Sequence, residues 1–166
     1  MSAAPPRPHP VLAPLLELVG TWEGEGTGDY PTIASFRYRE RVVFGQVGRP
    51  FLSYEQRTWH PENGTPMHAE SGYLRVVPDT MPARIELVLA QPTGLVEVDE
   101  GELRDGVLDL VSTAVVATGT ATPVDAVRRR LWVEGEVLHV ALSMAAGGLP
   151  ETQHLRSRLR RVTPAG

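Results

Sequence analysis

The chain of 166 residues has no cysteine, which excludes a disulfide framework, a thiolate metal site and a thiol nucleophile. It has no excess of basic charge either. Its 16 basic and 20 acidic residues give a net charge of −4 and no electrostatic footprint for nucleic acid. The arginine-rich runs at 128–130 and 156–161 do not change that reading, because each sits in an alternating strand pattern whose outer face must be polar anyway. No apolar run approaches the roughly 18 residues of a membrane span. The opening stretch, MSAAPPRPHP, lacks the continuous apolar core of a signal peptide. Residues 1–10 read as a disordered, proline-rich tail and 11–163 as a single domain, with no membrane partner and the cytoplasm as the default location.

Several familiar sources of chemistry are missing as well. The five histidines, His9, His60, His68, His139 and His154, show no metal-ligand spacing, and a zinc site would need three or four suitable ligands. There is no G-x-S-x-G elbow and no phosphate-binding loop. The glycines of GTWEGEG open no helix after a strand, so they are not a dinucleotide fingerprint. They read instead as a first strand that bends sharply and packs closely.

What is present is alternation. Leu12, Leu15, Leu16 and Val19 follow a helical spacing that Gly20 ends, which predicts one short N-terminal helix. After it the period is two. Phe36, Tyr38, Val42 and Phe44 share one face against Arg37, Arg39 and Arg41, and Leu138, Val140, Leu142 and Met144 share another. Asn63-Gly64 is a strong hairpin signal. About ten short antiparallel strands with short connections call for an all-β fold. An up-and-down barrel of the lipocalin and fatty-acid-binding kind is favoured, because closure removes exposed edges. Such a barrel has room for a ligand, and Trp22 is expected to plug its floor against the helix.

Parity poses a sharper question near the end, in LPETQHLRSRLRR. Leu155, Ser157 and Leu159 alternate with Arg156, Arg158 and Arg160, and strict alternation puts His154 with the arginines, on the wet side. A lone histidine there is ordinarily solvated or structural. But His154 stands where a Gly/Pro loop enters the strand, and a bulge at such a point can re-aim one side chain. A ligand-holding barrel also needs a polar anchor near its mouth, and a neutral imidazole is a good iron ligand. For the other candidates a plain reading stands beside the functional one. Met67 and Met144 read as core, His68 as a hydrogen-bonded rim residue, and Thr32 as a turn cap.

Taken together, GTWEGEG (Gly20, Trp22, Gly24, Gly26), YPTI, VGRPFLSY, PMHAESGYLR, QPTGLVEVDEGE, LSMA and TQHLRSRL resemble the nitrobindins, a family of small β-barrel haem proteins. The matches run in order from about residue 11 to 162. The resemblance implies a ten-stranded antiparallel barrel holding one ferric haem b per chain, with His154 as axial ligand. It implies a pocket otherwise largely apolar, lined by Met67, His68 and Met144, with Thr32 near the haem. The implied activity is isomerisation of peroxynitrite to nitrate, with nitric oxide binding and sensing. The oligomeric state is left open, a homodimer included. The alternatives from other classes are a non-enzymatic carrier of an apolar ligand such as a fatty acid, and a haem or nitric oxide sensor without turnover.

Overall fold

The computed structural model describes residues 6–163; residues 1–5 of the expected tail lie outside the described residues. A short helix, Pro10–Leu18, leads into ten strands. These are β1 (Gly20–Tyr30), β2 (Ile33–Gln46), β3 (Leu52–Trp59), β4 (Pro66–Val76) and β5 (Ala83–Ala90), then β6 (Leu95–Arg104), β7 (Val107–Ala117), β8 (Ala126–Glu134), β9 (Val137–Ala145) and β10 (Thr152–Arg161). Each strand pairs antiparallel with its sequence neighbour, and β1 pairs with β10 to close the barrel. The expected up-and-down barrel is what the chain forms. The Asn63-Gly64 turn sits between β3 and β4, with Gly64 at φ 71°, where a side chain would strain the backbone.

The helix departs from the expected spacing. It is a 3-10 helix, and Leu12, Leu15 and Leu18 are buried while Leu16 is 40% exposed. The reason is local. Pro10 and Pro14 carry no N–H, and a helix with three residues per turn buries every third side chain. The helix caps one end of the barrel as expected. Trp22 is fully buried beneath it, and its Nε1–H donates to the Leu18 carbonyl at 2.8 Å. Arg161 lies over the indole ring at 4.1 Å and donates to the carbonyls of Val19 and Glu17, which satisfies the helix end. Among the described residues no helix is long and apolar enough to cross a membrane.

The glycine motif of β1 has a packing reason. Trp22, Gly24 and Gly26 are alternate residues of the strand and face inward. A Cβ on Gly24 would collide with the Arg158 carbonyl of β10, and one on Gly26 with the ring of Tyr38. The backbones therefore approach closely and aromatic rings lie across the bare positions. Gly24→Ala is expected to cost about 1–3 kcal/mol of stability, the usual penalty for overpacking. Urea unfolding measures it, and an unchanged midpoint contradicts the packing account.

Candidate functional site

At the end opposite the helix the barrel holds a cavity of about 290 Å³. Its lining includes Phe36, Met67, His68, Val127, Leu142, Met144, His154 and Leu155, and deeper Glu40, Tyr54, Gln56, Glu70, Glu97 and Arg129. Met67, His68, Met144 and His154 thus meet in one space. Thr32 does not join them. It is exposed in the two-residue turn between β1 and β2, beyond the lining.

His154 leaves the alternation through a bulge. On β10 Gln153 pairs with Ser143 and Leu155 with Leu142, so His154 has no partner on β9. Its neighbour on β1 is also irregular: the β1–β2 register shifts between Gly28 and Tyr30, which leaves Asp29 unpaired. The two unpaired residues bond to each other, His154 Nδ1 to the Asp29 carbonyl at 3.0 Å. A carbonyl only accepts, so Nδ1 carries the proton, and in the neutral imidazole Nε2 keeps its lone pair. Tyr30 meets the imidazole edge-on at 5.4 Å and Phe36 at 6.2 Å. Tyr30 is itself anchored, since its hydroxyl accepts from the Ala146 N–H at 3.1 Å. His154 and Leu155 both line the cavity although they are adjacent, which only a bulge allows.

The expectation of a largely apolar pocket holds at the mouth and fails at the floor. Arg129 is buried and donates to Glu70 at 2.9 and 3.0 Å, to Glu97 at 2.8 Å and to Asp99 at 3.3 Å. Tyr54 donates to Glu70 at 3.0 Å, and Gln56 donates to Glu40 at 3.0 Å. Burial pushes Glu70 upward, but Arg129 and His68 outweigh it and hold the carboxyl at about 2. Burial dominates at Asp99, where Arg129 opposes it and Glu97 and Glu70 add to it; that carboxyl stands at about 7. Burial also lifts Glu40, against the hydrogen bond it accepts from Gln56. His68 bridges mouth and floor, with Nε2 at 3.4 Å from Glu70. Among the described residues no three of the histidine, aspartate and glutamate side chains are arranged to hold a bare metal ion.

The parity of each strand carries this floor. Arg129 lies between inward Val127 and Leu131, with Arg128 and Arg130 outside on Asp109. Arg129 is the exception to the reading of that run as an outer polar face. Glu40 shares the face of Tyr38 and Val42, and Glu97 and Asp99 follow Leu95. Counting in twos through the charged residues finds all of them.

Three comparisons bear on this arrangement. The family model for the THAP4-like haem-binding β-barrel domain matches residues 11–161. A Mycobacterium ulcerans protein named peroxynitrite isomerase 2 is 48% identical over 157 residues, spanning 92% of this chain and 96% of that one. The peroxynitrite isomerase of Nocardia farcinica is 48% identical over 170 residues, spanning 97% and 99%. The crystal structure of Rv2717c from M. tuberculosis has a TM-score of 0.87 to this barrel at 39% identity, covering 95% of this chain and all of that one.

The floor has a pH signature. Glu70 is held below its usual range, so its contribution is present above about pH 4.5 and is lost as pH falls toward 2. Asp99 is raised, so its contribution is present below about pH 4 and is lost as pH rises through 7. Arg129→Met leaves three carboxyls facing one another without a cation. It should cost about 3–5 kcal/mol at pH 7.5. The loss should shrink at pH 5, where the orphaned carboxyls take up protons. Urea unfolding at both values tests this; equal losses at the two contradict it.

Proposed function

The chain belongs to the THAP4-like haem-binding β-barrel family, the nitrobindins, and from that premise we propose that it is a haem protein that converts peroxynitrite to nitrate. The observation that carries the reading is the imidazole of His154, which lines the cavity mouth with Nδ1 engaged by the Asp29 carbonyl and Nε2 left to bind iron. The residues present suit one haem b per chain with ferric iron. His154 would hold the iron through Nε2, with the Asp29 carbonyl orienting the ring and Tyr30 and Phe36 walling it in. Met67, His68 and Met144 line the rest of the haem site. Thr32, in the turn beside the mouth, would approach the haem only from outside the cavity lining.

When bound, the haem iron supplies a Lewis-acid centre for the peroxynitrite anion and a site for nitric oxide. The chain's own work is to hold that centre and keep water from it. Peroxynitrite and nitrate are isomers of the same charge, so no side chain has to move a proton. The apolar mouth, with Val127, Leu142, Met144 and Leu155, limits escape of reacting fragments. A cytoplasmic location accords with this role.

The carrier alternative meets a chemical obstacle. A fatty acid buried in this cavity would need a cation for its carboxylate. Arg129 is the cation at the floor, and Glu70, Glu97 and Asp99 already occupy it. Uncompensated carboxylates there would repel an acid headgroup.

Stopped-flow decay of peroxynitrite, with nitrate as the measured product, tests the proposal. The ferric haem-loaded protein should speed the decay and the haem-free protein should not. His154→Ala should stay folded and lose most of its haem affinity, and nitric oxide should shift the Soret band of the loaded wild type. Equal decay with and without haem contradicts the isomerase reading and leaves a binding protein.

A further inference from the structure

We propose that Gln153 is a positioning residue, whose side-chain amide holds open the bulge that turns His154 into the barrel. The inference rests on His154 as the haem ligand. It begins from the carbonyls around the bulge. An extra residue in one strand breaks the local ladder and leaves backbone groups to be satisfied by other means. Gln153 Nε2 donates to the Leu142 carbonyl at 2.9 Å and to the Leu155 carbonyl at 2.7 Å. One primary amide has two N–H donors, and both are spent on the two strands that flank the irregularity. Just upstream, the Thr152 hydroxyl donates to the Pro150 carbonyl at 2.8 Å and sets the entry of the chain.

The competing arrangement can be counted residue by residue. Ser157 and Leu159 are buried and Leu155 lines the cavity, so the direction of β10 is set from Leu155 onward. Without a bulge, regular alternation back from Leu155 sends His154 outward and Gln153 inward. One inward place at the mouth is therefore contested by two neighbouring side chains. The residue that loses must be content outside and must supply the donors that the bulge lacks. Glutamine does both. An apolar residue at 153 does neither, and it gains by turning into the apolar mouth. Residue 153 thus selects between a strand entry with the imidazole inside and one with the imidazole in water.

The test separates positioning from mere stability. Gln153→Leu should weaken haem affinity on the order of 10–100-fold, the usual cost of losing a group that orients a metal ligand. Its ferric spectrum should move toward that of His154→Ala. The unfolding midpoint of the haem-free protein should stay level or rise, because leucine is welcome at the mouth. In the haem-free protein the ring contact between His154 and Tyr30, read by NMR, should disappear. Gln153→Glu keeps the length and removes the donors, so it should also lose the contact. Wild-type affinity and an intact ring contact in both variants overturn the proposal, and so does a loss of affinity that merely follows a falling midpoint. If His154→Ala binds haem with the wild-type spectrum, the ligand reading fails, and the ring contact still decides whether Gln153 aims the imidazole.

Discussion

The hydrogen bond from His154 Nδ1 to the Asp29 carbonyl joins two residues that the sheet leaves unpaired. Everything specific about the mouth follows from it. It settles which ring nitrogen holds the proton and so which one is left for a metal. It requires irregularities on adjacent strands at the same height, Asp29 on β1 and His154 on β10. It also brings Tyr30 and Phe36 against the imidazole, and Tyr30 in turn grips the loop that precedes β10. A regular strand entry would turn the His154 imidazole out of the cavity.

Below the mouth the barrel carries a second constraint. Glu40, Glu70, Glu97 and Asp99 are buried inside, and among the described residues Arg129 is the one buried arginine. A buried cluster of this kind is weak as a source of stability but strict in geometry. Here it divides the interior into an apolar plug under the helix, a charged layer, and the mouth. The division explains why the same barrel form that elsewhere suits a fatty acid offers this chain no cation for a carboxylate.

The fold was legible because alternation is nearly unbroken, and a run of short alternating strands has few ways to close. The helix was legible in place but not in type, since Pro14 shifted the buried set from the spacing of Leu15 and Leu16 to that of Leu15 and Leu18. Met67, His68, Met144 and His154 were found through motif resemblance and do share one cavity. Thr32 was carried with them and stands outside, in a turn. The charged floor is hidden for a different reason. Arg129 lies between two outward arginines, and Glu40 between inward aromatic and aliphatic residues, so each was hidden by its neighbours although parity alone assigns it. The Asp29 bulge has no local signal. It exists because β1 must offer a carbonyl where β10 brings an imidazole, and that is a long-range requirement.

Replacement of His154 by glycine, followed by addition of free imidazole, tests the central claim most directly. The substitution keeps the barrel and removes only the ring. If the ring at this place binds the iron, haem added to the variant should give an altered ferric spectrum, and imidazole should restore the wild-type Soret band in a saturable way. A variant whose spectrum matches wild type before imidazole is added would contradict the account.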